Sequence, residues 1–486
     1  MNERAMNYGR LALLTGAAIT LFRLVMLAVA DIELGPDEAQ YWDWSRSLAF
    51  GYYSKPPMVA WIIAATTSVC GNGEACIRAG SPLIHFATGL VLFALARGLY
   101  DARIGFWSAI VFLTIPGISL SSMIASTDVA LLFFWSVALL AFTRWLDAGA
   151  TRWAIALGAA LGLGLLSKYA MGYFVLCAFV YFIVAPDRRR ALLRENLLVI
   201  IAVAAVVVAP NIWWNVGHGF ATVSHTAANA SWSGGFFHPE EILVFFGDQL
   251  AVFGPVLFAV LLRRVWDVAS RGRARLDEPA LFLTSFSLPV LAVIFMQSVL
   301  SRSNANWAAV AYPAATVLVT AWLWQGRRAW GVASLALHGL ALFVLSALLA
   351  SPVLVERFGA ANAFKRVRGW EALSAGVHDA ALRASVDAIL FDDRFNLTSF
   401  LYYSREEKLT AFIWDADGVA ENHYELTRAF KGQIGGPILL VARQQKPERL
   451  LQSFTHVEDR GELVVAVGGG YRRAVHLYRL SDYHGD

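Results

Sequence analysis

Two adjacent acids, Asp37 and Glu38, open the stretch of this chain best equipped for chemistry. They stand in DIELGPDEAQYWDWSRSLAFGYYSKPPMVAW, residues 31–61, and Lys55 follows eighteen residues after Asp37, ahead of Pro56 and Pro57. Tyr41, Trp42, Trp44, Tyr52, Tyr53 and Trp61 surround them. A carboxylate here can take a proton from an attacking hydroxyl. Aromatic rings beside it suit a sugar, whose apolar face packs on rings while its hydroxyls need acceptors. Tyr41 and Tyr53 are therefore candidate substrate contacts. The plainer alternative is a helix start at Pro36, with the two acids in its first turn. Lys55 sits on chain stiffened by two prolines, a fixed cation suited to a lipid phosphate or, more simply, to any anionic headgroup.

Further candidates lie downstream. Asp128, in SSMIASTDVALLFFW, is either a second acid or a helix cap. Lys168, in GLGLLSKYAMG, and Arg302, in LSRSNANWAAVAYP, are isolated cations between apolar runs. With Lys55 they would form an anion site if they converge; otherwise they snorkel to the membrane surface. The polar-aromatic loop 210–240 carries His218, His225 and His238. Their spacing is poor for zinc, which leaves His218 and His225 as substrate contacts and the chain with no metal site. Asn306, beside Asn304 and Trp307, could hydrogen-bond hydroxyls or simply end a helix. Asp392, Asp393 and Arg394 end a strand and begin a helix, which reads as capping. No Walker motif, Rossmann fingerprint or HExxH occurs, which argues against an ATP-driven pump or a zinc protease, and nothing points to nucleic acid.

The elements that must hold these residues are mostly membrane helices. Of 486 residues, 57% are hydrophobic and 16% charged, with a mean hydropathy of +0.53. Apolar runs near 11–30, 81–96, 104–121, 128–143, 154–167, 170–185, 196–212, 241–262, 280–300, 307–324 and 331–351 predict about eleven transmembrane helices. Placing the N-terminus in the cytoplasm and alternating puts 17 arginines on that side and five cations, Arg46, Lys55, Arg78, Lys168 and Arg302, on the other. That bias orients the chain with its N-terminus cytoplasmic and the first loop, 31–80, and the C-terminus outside. Residues 58–69 are apolar but too short to span, which suggests an interfacial or re-entrant helix. Cys70 and Cys76 would lie on the external face, either bridged or free. From about 352 charge rises. DAILF, LTAFIW and GPILLVAR read as strands, NLTSFLYYS as an amphipathic helix, and GELVVAVGG with RAVHLYRL as a closing hairpin. The expected architecture is a membrane catalytic domain, 1–351, followed by a soluble α/β domain, 352–486.

The order of these motifs resembles the GT-C membrane glycosyltransferases, specifically glycosyltransferase family 39 and the related bacterial enzymes that include the lipid A aminoarabinose transferase. The likeness runs through PDEAQYWDWS, YYSKPPMVAW, STDVALLFFW, GLGLLSKYAMG, PNIWWNVGHGF and NANWAAVAYP, and the tail with DDRFNLTSFLYYS and NHYEL is similar to their external domain. It implies a GT-C fold in a bacterial inner membrane and inverting transfer on the periplasmic face. The donor would be a polyprenyl-phosphate sugar and the acceptor a glycolipid or glycan, with lipid A or lipopolysaccharide core favoured. Asp37 would be the first-loop catalytic acid, with Glu38 its neighbour. Lys55, Lys168 and Arg302 would hold the donor phosphate, and Asp128 would be a second acid. No cofactor is expected, with a divalent cation dispensable. The competing reading is a transporter or flippase of lipid-linked sugars, which would show related halves and matching broken helices; the chain has no such symmetry. A third is a non-catalytic lipid-phosphate-binding subunit.

Overall fold

The computed structural model describes residues 3–228, 237–271 and 276–485. Packing divides the chain into two compact units: Met1–Ala28, Lys55–Gly71 and Ala75–Ser346 form one, and Val29–Ser54, Asn72–Glu74 and Ala347–Asp486 the other. Residues 29–54, which include Asp37, thus pack with the C-terminal part of the chain.

The first unit is helical. Among the described residues seven helices are long and apolar enough to cross a membrane: Asn7–Val29, Glu74–Leu99, Thr127–Ala148, Leu197–Gly217, Glu278–Leu300, Ala305–Gly326 and Arg328–Ala350. The four other expected spans are shorter or bent. Pro116 stops Ala102–Thr114, because proline has no N–H to continue the ladder. The carbonyl of Leu113 left by this break accepts from the buried Arg23 guanidinium, which also reaches Ser119 Oγ at 3.2 Å. Lys168, with extended backbone, ends Thr151–Ser167 ahead of Tyr169–Val184. At Gly254 and Pro255 the chain turns by 117° between Pro239–Phe253 and the helix that follows. Helix Met58–Cys70 has 13 residues, about 20 Å of rise against a hydrocarbon core of about 30 Å. Cys70 and Cys76 are joined in a disulfide.

Two glycines let helix Thr151–Ser167 lie against Leu197–Gly217. A Cβ on Gly158 would come within 2.6 Å of the Ile200 carbonyl, and one on Gly162 within 2.7 Å of Val207. Small residues four apart bring membrane helices into backbone contact, and this contact fixes the helix end that carries Lys168.

The second unit is built on a five-stranded sheet in the order β2-β1-β3-β5-β4, from β1 (Ala388–Phe391), β2 (Thr410–Ile413), β3 (Ile438–Ala442), β4 (Phe454–Gly468) and β5 (Tyr471–Tyr483). β1 runs parallel to β2 and β3, and the β4–β5 hairpin closes the sheet antiparallel. Every residue of β1 and β3 is buried, as in strands covered on both faces. Helices Trp370–Ala384 and Arg394–Tyr403 cover one face through Leu373, Val377, Leu397 and Phe400. Phe430, Leu450 and Phe454 cover the other.

Candidate active site

In the membrane unit three polar side chains meet at Asp128. Ser126 caps helix Thr127–Ala148, accepting from the Asp128 N–H at 3.2 Å. The carboxylate of Asp128 is thereby free of capping, and the chain uses it elsewhere. Its Oδ1 takes a hydrogen bond from Lys168 Nζ at 2.7 Å, and its Oδ2 one from Asn306 Nδ2 at 2.6 Å. The Asp128 side chain is 9% exposed and that of Lys168 21%. A carboxylate this enclosed needs hydrogen-bond partners: Ser126 Oγ adds a longer contact to Oδ2 at 3.4 Å, and the two close partners come from chain 40 and 178 residues away. Lys168 arrives there because its helix ends on it. Asn306 arrives on the turn Ala305–Ala311, in the first residues of a long helical span.

Next to Lys168, Tyr169 extends the cluster. Its hydroxyl donates to Asn211 Oδ1 at 3.0 Å and accepts from Asn215 Nδ2 at 3.2 Å. Both asparagines are buried. They lie one turn apart on helix Leu197–Gly217, so the spacing of four that places them on one face was the sequence signal for this network. Lys55 is half-buried in the bend before Met58–Cys70. Arg302 is exposed in the connection ahead of Asn306, and its carbonyl accepts from Gln297 at 3.3 Å. His218 ends its helix with its ring stacked on Trp214 at 4.0 Å. His225 lies in helix Ala221–Ala228 and His238 pairs with Glu240 at 3.3 Å; residues 229–236 of that loop are outside the described part. Among the described residues no group of three or more His, Cys, Asp or Glu is arranged to hold a metal ion.

In the second unit the acid pair separates into two jobs. Helix Pro36–Arg46 begins with Pro36 in its first turn, and Glu38, buried, accepts from the Gly35 N–H at 3.1 Å. Glu38 is a helix cap, the plainer role that Pro-Asp-Glu allowed. Asp37 points out, its side chain 67% exposed, and its Oδ1 accepts from Arg394 Nη1 at 3.2 Å. Arg394 read as capping from sequence, but Asp393 does the capping, through Phe395 and Asn396 N–H groups.

The aromatics expected to receive a sugar are here mostly core. Trp44 is stacked on Tyr52 with centroids 4.5 Å apart, Tyr41 tilts against Trp44 at 5.3 Å, and Trp42 meets Tyr402 edge-on at 5.0 Å. Tyr41, Trp42, Trp44 and Tyr52 are all buried, because one helix face and the turn after it pack on the C-terminal domain. Tyr53 is half-buried and donates to the Ala420 carbonyl at 3.0 Å. Asp43, with Arg428 at 3.9 Å, has its carboxyl pushed up by burial. Glu33 accepts from the N–H groups of Gly369 and Trp370, at 2.9 and 2.5 Å, anchoring the loop to the start of helix Trp370–Ala384.

Residues 54–214 match the family described as dolichyl-phosphate-mannose-protein mannosyltransferase. The lipid A galacturonosyltransferase RgtD of Rhizobium johnstonii is 36% identical over 436 residues, 89% of this chain and 90% of that protein. The lipopolysaccharide core galacturonosyltransferase RgtA of the same organism is 30% identical over 273 residues, 54% of each chain. Among solved structures, ArnT from Cupriavidus metallidurans bound to undecaprenyl phosphate shares the fold, with a TM-score of 0.64 at 18% identity over 96% of this chain and 97% of that one. The aligned length and identity to RgtD are decisive: the chain belongs to the family of the lipid A galacturonosyltransferase, membrane glycosyltransferases of the GT-C fold.

Proposed function

We propose that this protein transfers galacturonic acid from a polyprenyl-phosphate donor to lipid A or the lipopolysaccharide core, at the periplasmic face of a bacterial inner membrane. The likeness to RgtD along nearly the whole chain carries the sugar and the acceptor. The matched family, named for a lipid-phosphate sugar donor, and the undecaprenyl phosphate held by a protein of the same fold support the donor. The arginine-rich loops on one side support an N-terminus in the cytoplasm and the C-terminal domain in the periplasm.

The chemistry follows from the side chains. As the glycosidic bond breaks, the departing phosphate gathers negative charge, and fixed cations lower the cost of that charge. Lys55, Arg302 and Lys168 supply them. Lys168 keeps one N–H on Asp128, and an ammonium has three donors, so the carboxylate orients it while other N–H groups face the phosphate. Asp37 takes the proton of the acceptor hydroxyl as oxygen attacks the anomeric carbon, and the configuration inverts. A single phosphate leaving group needs no divalent cation in this reading.

Mass spectrometry of lipid A and core from a strain lacking the gene tests the proposal. Loss of a hexuronic acid, restored by the wild-type gene but not by Asp37→Asn, is expected; an unchanged lipid profile overturns it. A flippase is separated by purified protein in vesicles with undecaprenyl-phosphate-linked galacturonic acid and lipid A on one side, where only a transferase forms product.

A further inference from the structure

The acid that would meet the acceptor is gripped by a residue from the far end of the chain. Arg394 Nη1 donates to Asp37 Oδ1 at 3.2 Å, and the same nitrogen contacts Gln40 Oε1. Gln40 is 2% exposed and cannot move aside, so it braces the guanidinium one helical turn below Asp37. The Arg394 guanidinium also lies 4.6 Å over the Phe395 ring.

Its place in the sheet is informative. Arg394 follows the carboxyl end of β1, the strand that lies between β2 and β3, so that the connection from β1 runs to one side of it and the next, from β2 to β3, crosses to the other. In α/β sheets that end of that strand is where functional side chains gather. Stability does not explain the pair, since an ion pair this open to water contributes little. Position does. Asp37 lies in the first turn of its helix with a largely exposed side chain, and an exposed carboxylate wanders among rotamers. One charged hydrogen bond to Oδ1 fixes its plane and leaves Oδ2 to receive a hydroxyl.

We propose that Arg394 is a positioning residue for Asp37, so that the C-terminal domain completes the catalytic apparatus. This rests on Asp37 being the acid that receives the acceptor proton. The test is transfer kinetics with undecaprenyl-phosphate-linked galacturonic acid and lipid A for wild type, Asp37→Asn, Arg394→Met, Arg394→Lys and the double variant Asp37→Asn/Arg394→Met. Methionine keeps the apolar stem against Phe395. Arg394→Met should lower kcat by about 10- to 100-fold with the donor KM within about twofold and the Tm unchanged. Arg394→Lys should recover part of the loss, since an ammonium keeps the charge and the donors for Asp37 but lacks the planar guanidinium that holds their geometry. The double variant should be no slower than Asp37→Asn alone.

A wild-type rate for Arg394→Met overturns the proposal. So do losses that multiply in the double variant, because Arg394 would then touch substrate on its own account. So does a fall in Tm that tracks the fall in rate without rescue by lysine, and so does failure of both Arg394→Met and Arg394→Gln to fold, either of which makes the residue structural. A fully active Asp37→Asn instead removes the functional reading of Asp37, and that is seen before Arg394 is considered.

Discussion

Removing the Lys168 ammonium leaves Asp128 with amide and hydroxyl neighbours only. Breaking a buried pair from one side costs about 3–5 kcal/mol, and the partial exposure of Lys168 places Lys168→Ala at the lower end. Pairing it with Asp128→Asn removes the orphan charge. The double variant should therefore regain most of the lost Tm while transfer stays at least about 100-fold down, which separates the role in folding from the role in catalysis. Asp392 offers a test by pH. It is half-buried at the end of β1, where it accepts from the Arg443 N–H at 2.8 Å, and burial pushes its carboxyl up to about 6. An unfolded chain ionises the same group near about 3.9. Its protonated form is the one the fold prefers, so it adds stability below about pH 4 that is lost as pH rises through about 6. Asn stays neutral and still accepts the bond. Asp392→Asn should thus stabilise the protein by about 1–2 kcal/mol at about pH 7.5 and by little at about pH 4, as read by thermal melts at the two values. Charge made Asp128 and Lys168 conspicuous in apolar sequence. Tyr169, Asn211 and Asn215 carry none and passed as ordinary helix residues, although their hydrogen bonds continue the same cluster.

Where an expected span came out short or bent, the break is local. Pro116 and the Gly254-Pro255 pair interrupt a helical ladder that hydropathy alone would carry through, and the ladder also stops at Lys168, where the backbone becomes extended. Hydropathy averages over a window, so it registers that a segment is apolar and misses where its hydrogen bonds stop. The hairpin shows the opposite error. β4 begins at Phe454, well before the GELVVAV run, and that start was missed because residues 455–460 are exposed and, Val457 apart, polar, with no alternation to read; a bulge near Gly461 separates that part from the apolar one. Glycine, by contrast, was legible only as composition until its neighbours were known. Gly162→Ala should be favourable in an isolated helix by about 1 kcal/mol. Here the new methyl meets Val207 and the Ala204 carbonyl, at 2.7 and 3.2 Å. The variant should instead lose about 1–3 kcal/mol and, by shifting the helix end that holds Lys168, about tenfold in kcat. A melt and a rate measured on the same preparation check both.

The change of texture near 352 marked where soluble sequence begins but not what it folds with. Strands and membrane runs are local patterns, whereas the first loop and the C-terminal domain join through residues hundreds of positions apart: Glu33 to Gly369, Leu34 to Tyr403, Asp37 to Arg394 and Tyr53 to Ala420. No periodicity reports such a pairing, and the loop's tryptophans looked like a sugar platform because their true partners were out of view. A chain ended after residue 351 keeps every expected span, Asp37, Asp128 and both lysines. It should nevertheless be inactive in transfer, with Trp42 and Trp44 exposed to quenchers that do not reach them in the full-length protein; a truncated chain with a wild-type rate would contradict the joint folding of loop and domain.

That joint folding also sets a schedule. Asp37 and Arg394 are 357 residues apart, and at about 5–20 residues per second the ribosome needs about 20–70 s to supply the second after the first. Throughout that interval the loop exists without the C-terminal residues that cover its aromatic face. If Asp37 and Arg394 act together as proposed, transfer activity should appear only when synthesis is nearly complete.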